Sequence, residues 1–320
     1  MDVSKVREYD AARDARAVQE LWQATLGGTY PVTERVFRGC TTGRPSYEPG
    51  DALVAVEGRR IVGFGMIEPD RHAAGVGACG SVAALLVHPA HQRHGVGTRL
   101  LAELEARLRA QGCTQAQVGG GLNRFWTGCP ADLPAGLAFF LRQGYALKGG
   151  CYDLVIPLEP YTDAAACQAK LAAAGVELVG CTPADLGAAL AFETREFAGW
   201  VAATLRMAGA GDLGNFLVLK RGGQIIGSIQ TYTPGSRWRA ANLIWEGVLG
   251  PRLGGFGAVG IAKDCRGQGL GKLMCEGAAH HVKRAGADQC HIDWTGLVGF
   301  YAKVGAKVWR EFHRGTRALA

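Results

Sequence analysis

Apolar positions along the chain form short runs that recur in the same order in its two halves. Residues 54–67 comprise an apolar run, a charged turn that contains a glycine, and a second apolar run. Residues 217–232 repeat this arrangement, and the Ile-Ile-Gly that begins their second run matches an Ile-Val-Gly in the first copy. Two short apolar runs around a polar turn predict a β-hairpin. One hairpin is therefore expected in each half.

A third apolar run in each half ends at a glycine-rich loop, which leads into a helical pattern. Residues 82–87 precede the loop 92–97, and residues 258–261 precede the loop 266–271. Four leucines beyond the first loop recur at the spacing of one helix face, and a glycine ends each helical pattern: Leu100, Leu101, Leu104 and Leu108, then Gly112 and Gly286. Each half therefore predicts a strand, a glycine loop and a helix, in that order.

The two halves also end with the same sequence pattern. Residues 136–145 and residues 297–306 each read as a short helix with a glycine near its end. A repeat of this length indicates two units that share one fold. We therefore predict an α/β (α+β) protein of two domains in tandem, each a mixed, largely antiparallel sheet flanked by helices.

The domain division follows from the same pattern. The length of 320 residues suits two domains, since single domains most often have about 100 to 150 residues. Residues 152–158 are expected to be the last strand of the first domain, and the alanine-rich residues 162–174 to form a linking helix. The predicted division is 1–158 for the N-terminal domain, 159–175 for the linker helix and 176–320 for the C-terminal domain.

Composition and charge narrow the class of protein. Hydrophobic residues make up 48% of the chain and charged residues 20%, far from the signature of disorder. The net charge of +7 is dispersed, so an anionic small molecule suits it as well as a nucleic acid does. No apolar stretch of the sequence reaches the roughly 20 residues of a membrane span, and residues 1–15 carry charges where a signal peptide needs an apolar core. We predict a cytoplasmic protein with a small-molecule partner and no nucleic-acid or membrane partner. The sequence does not predict the oligomeric state.

Cysteines and histidines indicate neither disulfides nor a metal site. None of the ten cysteines falls in a Cys-x-x-Cys pair, which favours reduced thiols. The neighbours His280 and His281 would point about 100° apart on a helix and so cannot readily share a metal ion. We predict no metal.

The loops between strand and helix carry the clearest chemical signal. Glycines let the backbone approach an anion, successive N–H groups point into one concavity, and the helix N-terminus adds partial positive charge, which together predict a pyrophosphate cradle. A Walker A loop is excluded, because Lys272 is followed by Leu273 instead of Ser or Thr. The Gly-x-Gly-x-x-Gly at Gly255, Gly257 and Gly260 lies before the predicted strand, and in a chain with 48 glycines we interpret it as a chance match.

Both loops resemble the acetyl-CoA signature of the GNAT N-acetyltransferases. The first reads Val-x-Pro-x-x-Gln-Arg-x-Gly-x-Gly over residues 87–97, and the second reads Ile-x-x-x-x-Arg-Gly-x-Gly-x-Gly over residues 261–271. The order of strand, loop, helix and closing Phe-Tyr helix agrees as well, so the resemblance covers nearly the whole chain as two GNAT domains. It implies acetyl-CoA as co-substrate.

The resemblance also implies which residues hold acetyl-CoA. In the second half these are Ile261, Arg266, Gly267, Gln268, Gly269, Leu270, Gly271 and Lys272. In the first half the corresponding residues are Val87, Gln92, Arg93, His94, Gly95, Val96, Gly97 and Thr98, although their binding of acetyl-CoA stays open. The loop amides would bind the pyrophosphate, and the backbone at Ile261 or Val87 would face the pantetheine arm and the acetyl group. A backbone N–H aimed at the acetyl oxygen would contribute about 3 kcal/mol to catalysis.

Acyl transfer to an amine also needs an acid to protonate the leaving thiolate. In the family a tyrosine on the helix after the fifth strand serves as this acid, and Tyr301 holds that position here. The first half has Phe140 instead, which cannot donate a proton. Phe140 lies 48 residues beyond Gln92, whereas Tyr301 lies 35 residues beyond Arg266. The additional residues of the first half fall within 123–135, which we expect to form an ordered loop. Chemistry is therefore predicted in the second half.

A base must take the proton of the amine, and two carboxylates are candidates. Asp293 is preferred, since it ends a strand eight residues before Tyr301, and Glu246 is the alternative. Either carboxylate has a second interpretation as a surface or salt-bridged group. Trp294 is a candidate for stacking on a sugar, as are Trp245 and Trp309, although tryptophans so close to strands are more often core. His291 alternates with Asp293 and would share its face of the sheet.

The resemblance extends to tandem GNAT proteins of bacteria, which include glucosamine and glucosaminide N-acetyltransferases and mycothiol synthases. An aspartate before a tryptophan, followed by the Phe-Tyr helix, favours the amino-sugar enzymes. The expected acceptor is thus the primary amine of a small molecule, with glucosamine or a glucosaminide preferred. The alternatives are a mycothiol-synthase-like enzyme and a non-catalytic acetyl-CoA-binding module.

Overall fold

Two β-sheets organise the chain, and its internal contacts divide it into two units. The computed structural model describes residues 5–69, 79–239 and 241–319. Unit 1 comprises Met1–Cys151 and Arg310–Ala320, and unit 2 comprises Tyr152–Trp309.

Unit 1 contains the first copy of the repeat. Its elements are β1 (Lys5–Glu8), α1 (Ala11–Thr25), α2 (Glu34–Cys40), β2 (Ala52–Glu57), β3 (Arg60–Glu68), β4 (Cys79–Val87), α3 (Val96–Ala110), β5 (Gln115–Val118), β6 (Cys129–Pro130), α4 (Pro134–Arg142) and, in the chain's C-terminal segment, β14 (Thr316–Ala318). The strand order is β1-β2-β3-β4-β5-β14. Neighbouring strands are antiparallel except β4 and β5, which are parallel.

Unit 2 repeats this plan. Its elements are α5 (Ala164–Ala173), β8 (Glu177–Gly180), α6 (Leu186–Phe197), α7 (Val201–Ala210), β9 (Phe216–Arg221), β10 (Gln224–Tyr232), α8 (Glu246–Leu249), β11 (Leu253–Ile261), α9 (Leu270–Arg284), β12 (Gln289–Thr295) and α10 (Val298–Tyr301). Two further strands contain the unit bounds: β7 (Lys148–Pro157) and β13 (Lys307–Arg314). Counted from β8, the first six strands of its sheet are β8-β9-β10-β11-β12-β7, and β13 and β6 follow. Among the six, only β11 and β12 form a parallel pair. The prediction of two mixed, largely antiparallel sheets flanked by helices is confirmed.

Each core lies between a sheet and the helix that follows its glycine loop. The four leucines that the pattern assigned to one face of α3 are at most 1% exposed. In α9 the corresponding face is made of small and flexible residues that are fully buried: Met274, Cys275, Ala278, Ala279 and Val282. Gly112 and Gly286 follow the two helices with φ values of 82° and 94°, a left-handed conformation that glycine adopts without strain.

The division of the chain differs from the predicted one at two places. The strand expected to close the first domain, β7, pairs with β12 of unit 2 and buries Leu154 and Ile156 in that unit's core. The sixth strand of unit 1 is instead β14, which pairs with β5. The expected linker helix, α5, belongs to unit 2, because Cys167 and Leu171 lie in the same core. The sixth position of each sheet is thus filled by a strand that is distant in sequence.

Two further features of the fold are the state of the cysteines and the length and polarity of the helices. All ten cysteines are free thiols, and eight of them are buried. Within the described ranges, every helix is too short or too polar to cross a lipid bilayer.

Candidate active site

The glycine loop of unit 2 is an open backbone cradle at the start of α9. Arg266 folds back and donates from Nε to the carbonyl oxygen of Ile261 (2.9 Å), which fixes the beginning of the loop on the end of β11. Gly267 and Gly269 have φ values of 78° and 77°, and a Cβ on either residue would meet nothing within 4 Å. The loop therefore faces open space with a backbone that requires glycine.

The amides of this loop are available to a ligand. Lys272 donates its backbone N–H to Gly269 (3.1 Å), whereas over the described ranges no main-chain acceptor is recorded for residues 268–271. Gly269 is the N-cap of α9 and supplies no side chain to satisfy them. Unsatisfied N–H groups at a helix N-terminus carry partial positive charge and bind anions. The cradle thus fits the pyrophosphate that the sequence predicted.

Beside the loop, β11 and β12 separate. The two strands pair in parallel only from Leu253 to Gly255. A β-bulge follows in β11, where Ala258 and Val259 both oppose Ile229 of β10, and Ala258 has a φ of 48°. A bulge bends its strand and leaves backbone groups without ladder partners. The gap between the strands is therefore lined by main chain.

Three glycines of β11 flank this bulge. A Cβ on Gly255 would lie 2.7 Å from Cβ of Asn242, and one on Gly260 would lie 2.4 Å from the ring of Phe197. The third, Gly257, would place a Cβ 3.4 Å from Asp293 Oδ1. The expectation that this glycine pattern lies before a strand was wrong: all three glycines lie within β11, and at Gly255 and Gly260 neighbouring groups approach too closely for a Cβ.

Tyr301 lies at the end of α10, next to the glycine loop. The preceding residue, Phe300, would lie 3.4 Å from a Cβ on Gly271, so α10 packs against the first turn of α9. Tyr301 is buried, with its ring 6.4 Å from that of Phe256 on β11. Burial raises the pKa of Tyr301 well above its usual value, and the nearby Cys275 and Asp293 raise it further. The phenol is therefore protonated at neutral pH.

Asp293 is half-buried beside the separated strands. Its Oδ1 accepts a hydrogen bond from Asn242 Nδ2 (3.0 Å), which also donates to the carbonyl oxygen of Phe256 (3.0 Å). Asn242 therefore ties the carboxylate to β11. Phe256 relates the two groups, since its carbonyl oxygen accepts from Asn242, which binds Asp293, and its ring lies 6.4 Å from that of Tyr301.

Comparison with known proteins decides the family. The model of the acetyltransferase (GNAT) family matches residues 16–145 and again residues 183–306. The chain belongs to the GNAT acetyltransferase family. It carries two copies of the fold, and the family assignment makes it an N-acetyltransferase.

Individual relatives agree with this assignment. The chain is 25% identical over 319 residues to a mycothiol acetyltransferase of Thermobispora bispora, covering 95% of this chain and 96% of the relative. It is 27% identical over 290 residues to a mycothiol acetyltransferase of Sanguibacter keddieii, covering 87% and 83%.

Solved structures match over the full length. A GCN5-related glucosamine N-acetyltransferase region of a fungal multi-domain GH3 β-N-acetylglucosaminidase superposes with a TM-score of 0.90 at 26% identity over 98% of this chain, which spans 38% of that longer polypeptide. A tandem GNAT protein from the clavulanic acid biosynthesis pathway matches 99% of this chain and 98% of its own, with a TM-score of 0.65 at 18% identity, and so supports the fold alone.

The second carboxylate named from the sequence lies in a different environment. Glu246, at the start of α8, forms a buried ion pair with Arg239, which also donates to the carbonyl oxygen of Pro234 (2.9 Å). Trp245 is 1% exposed and packs against Trp309, as core residues do. Trp294 is half-buried, with a φ of 51°. Glu246 is thus paired with Arg239, whereas Asp293 is held against β11 by Asn242.

Sequence reasoning missed a stacked aromatic pair beside the bulge. Phe197 and Trp200 stack with ring centroids 4.3 Å apart and 10° between their planes, directly over Gly260. Both are half-buried, and the guanidinium of Arg266 lies 5.8 Å from the centre of the Phe197 ring. The i, i+3 spacing of two aromatics at a helix end was the available signal.

A buried glutamate was also missed. Glu193 on α6 is fully buried, and burial raises its pKa from 4.5 to about 7. Thr204, Ser228 and Gln230 lie close enough to offset part of this rise. Its position one turn after Ala189, on the inward face of α6, was the signal, since a carboxylate on an apolar helix face is uncommon.

Unit 1 of this GNAT chain repeats the loop geometry. Gln92 donates from Nε2 to the carbonyl oxygen of Val87 (3.1 Å), as Arg266 does in unit 2. Arg93 has a φ of 65° where unit 2 has Gly267, and Gly95 is the N-cap of α3 with a φ of 84°. Thr98, in the first turn of α3, accepts a hydrogen bond from Gln143 (3.3 Å).

The rest of unit 1 differs. Gly97 faces Phe139 as Gly271 faces Phe300, so Phe140 stands in the position of Tyr301 and is buried. The loop after β5 folds inward: Trp126 stacks on Trp22 of α1 with centroids 5.7 Å apart, and Phe125 lies 4.9 Å from the same ring. Unit 1 thus has the loop, with Phe140 where unit 2 has Tyr301, and packs the segment after β5 into its own aromatic core.

No candidate metal centre accompanies either loop. Over residues 5–69, 79–239 and 241–319, no cluster of three or more His, Cys, Asp or Glu side chains has a metal-binding arrangement.

Proposed function

We propose that this chain transfers the acetyl group of acetyl-CoA to the primary amine of a small molecule, and that unit 2 alone carries the chemistry. The observation that supports this most strongly is the grouping of a protonated tyrosine, a half-buried carboxylate and an open anion cradle at one pair of separated strands. Unit 1 has the cradle without the acid.

The residues of unit 2 have distinct roles in this proposal. Acetyl-CoA supplies an acetyl group already activated as a thioester. The amides of residues 268–271 and the N-terminus of α9 hold its pyrophosphate. Main-chain N–H groups at the bulge of β11 face the acetyl oxygen, where donors of this kind contribute about 3 kcal/mol to the transition state.

Proton transfer completes the reaction. Asp293 takes a proton from the amine, whose nitrogen then forms a bond to the acetyl carbon. The carbon–sulfur bond breaks, and Tyr301 gives its proton to the departing sulfur. General acid or base groups of this type contribute about 10²- to 10⁴-fold each. The buried phenol carries its proton at neutral pH, as the role of acid requires.

The preferred acceptor is an amino sugar such as glucosamine or a glucosaminide. The stacked Phe197–Trp200 pair beside the bulge offers an apolar platform of the kind that sugar rings stack on. The glucosamine N-acetyltransferase region that superposes with a TM-score of 0.90 supports the same class. We further propose that the protein acts in the cytoplasm, where a reducing environment keeps its ten free thiols reduced.

A second acceptor class is favoured by one observation. The two curated relatives, at 25% and 27% identity, are mycothiol acetyltransferases. The acceptor of these relatives is therefore the compound to compare with free glucosamine in an assay.

An acceptor panel tests the proposal. Thiol release from acetyl-CoA is followed with glucosamine, a glucosaminide, the mycothiol acetyltransferase acceptor, a polyamine and a lysine peptide. We expect the highest kcat/KM with an amino-sugar amine. A higher value for the polyamine or peptide would contradict the substrate class, and no thiol release with any amine would favour an acetyl-CoA-binding module.

A further inference from the structure

A second bulge lies at Asp293 itself. Ile292 pairs with Leu154 of β7, but the next pair joins Thr295 to Tyr152. Two residues of β12, Asp293 and Trp294, therefore oppose a single residue of β7, Asp153. Trp294 has a φ of 51° there, which costs a residue with a side chain about 1 to 3 kcal/mol unless its surroundings hold it.

The carboxylate of Asp153 holds this bulge. Its Oδ1 accepts a hydrogen bond from the backbone N–H of Trp294 (3.0 Å), and its Oδ2 lies 3.2 Å from Nε2 of His291. Asp153 is 2% exposed and His291 is fully buried. A buried carboxylate is stable only when it is paired and hydrogen-bonded. Asp153 therefore connects the residues before and after Asp293 within β12.

We infer that Asp153 is a positioning residue that sets the place of Asp293 in the acceptor site. This inference rests on the proposed function, because it assigns Asp293 a role in proton transfer. The backbone of Asp293 is held by Asp153 through the bulge, and its carboxylate is held by Asn242. Removing the first of these supports frees the bulge to relax, which moves the carboxylate relative to Tyr301 and the amine. A shift of about 1 Å in a reacting group costs on the order of 100-fold in rate.

The sequence pattern could not predict this arrangement, because the residues that form it are far apart in the chain. Asp153 lies on the strand that the pattern assigned to the first domain, 138 residues before His291. Only the pairing of β7 with β12 brings the two side chains together.

Asp153→Ala tests the inference, with Asp212→Ala as its matched control. Asp212 is also a buried carboxylate of unit 2 that accepts main-chain hydrogen bonds, from Arg237 (2.9 Å) and Trp238 (3.0 Å). Both variants should lower the melting temperature. We expect Asp153→Ala to lower kcat about 100-fold, with KM for acetyl-CoA unchanged within about threefold, and Asp212→Ala to leave kcat within about threefold of wild type. Equal losses of kcat in both variants would overturn the inference.

A double-mutant cycle separates this inference from the proposed function. The amine with the highest turnover in the panel serves as acceptor. If Asp153 acts through Asp293, Asp153→Ala should change kcat less than about twofold in an Asp293→Asn background. A full additional loss there would overturn the positioning role and leave the proposed function standing. Unchanged kcat in Asp293→Asn alone would contradict both.

Asp153→Asn provides a second test of the inference if Asp153→Ala does not fold. The amide oxygen of asparagine still accepts from the Trp294 N–H, so we expect kcat closer to wild type than in Asp153→Ala. Hydrogen exchange at the Trp294 amide should remain slow in Asp153→Asn. Wild-type kcat despite fast exchange at this amide would overturn the inference.

Discussion

Units 1 and 2 share one loop and differ in the chemistry beside it. Both loops fold a side chain back onto the preceding strand, from Gln92 in one and Arg266 in the other. Both enter their helix through a glycine at positive φ, Gly95 or Gly269. Beyond the loop, unit 2 places Tyr301 near Asp293, whereas unit 1 buries Phe140.

In the proposed function, an anion cradle alone does not make an active site. A glycine loop and a helix N-terminus arise from local sequence, because they need only backbone freedom and a free first turn. The proposed acid, the proposed base and the open strand gap depend on residues from α10, β11, β12 and the segment around Asn242. In unit 1 the loop that bears Phe125 and Trp126 packs both rings against Trp22 of α1.

The largest difference between the two loops is expected in KM for acetyl-CoA, when the same negatively charged residue is substituted into each loop. Gly269→Asp and Gly95→Asp place a carboxylate at equivalent N-caps, with similar φ and open space around the new Cβ. Close like charges cost several kcal/mol. We therefore expect KM for acetyl-CoA to rise by at least about tenfold in Gly269→Asp and to stay unchanged in Gly95→Asp.

Steady-state kinetics with varied acetyl-CoA measures both variants. A comparable rise in KM for Gly95→Asp would show that the loop of unit 1 takes part in the reaction cycle. That result would contradict the assignment of chemistry to unit 2 alone.

A smaller effect is expected on stability at Glu193, a buried carboxylate of unit 2. Its folded-state pKa of about 7 lies above the unfolded value of 4.5, so the folded protein binds this proton more tightly. The resulting stabilisation is fully present below about pH 4.5 and is lost as the pH rises through about 7. The shift corresponds to about 3 kcal/mol.

Glu193→Gln removes this titration. We expect its free energy of unfolding to exceed that of wild type increasingly from pH 5 to pH 8, as measured by urea denaturation at each pH. Glu103→Gln, on the exposed face of α3, is the control and should follow the wild-type pH profile. Parallel profiles for Glu193→Gln and wild type would contradict the burial argument.

The smallest effect is expected at Arg93, which adopts the conformation of Gly267. Arg93→Gly relieves a left-handed backbone but adds flexibility to the unfolded chain, and the two contributions nearly cancel. We expect the free energy of unfolding to change by less than about 1 kcal/mol. His94→Gly, which has no positive φ to relieve, should destabilise unit 1 instead. Thermal denaturation of both variants checks the difference, and equal destabilisation would show that Arg93 carries no strain.

The sequence predicted the repeated features, because these depend on local pattern. Four leucines at helical spacing define α3, and Gly112 ends it. Phe140 and Tyr301 could be matched by their places in the two closing helices, and in the structure the residues before them, Phe139 and Phe300, face Gly97 and Gly271 alike.

The features that the sequence did not reveal depend on long-range pairing. Alternation along β7 predicts which residues face a core, but not that the core belongs to unit 2. The bond from Asn242 to Asp293 joins a short 3-10 turn to β12 and has no sequence pattern. The glycines of β11 resembled an unrelated motif, since only the fold shows what approaches them.

The kcat of Tyr301→Phe tests the central claim most directly, with Tyr145→Phe as the matched variant in unit 1. Tyr145 is also a buried tyrosine, and its hydroxyl donates to Glu105 (2.8 Å). At saturating acetyl-CoA and amine, we expect Tyr301→Phe to lower kcat about 10²- to 10⁴-fold, the usual contribution of a general acid, and Tyr145→Phe to lower stability without lowering kcat. Wild-type kcat in Tyr301→Phe would contradict the placement of the catalytic acid in unit 2.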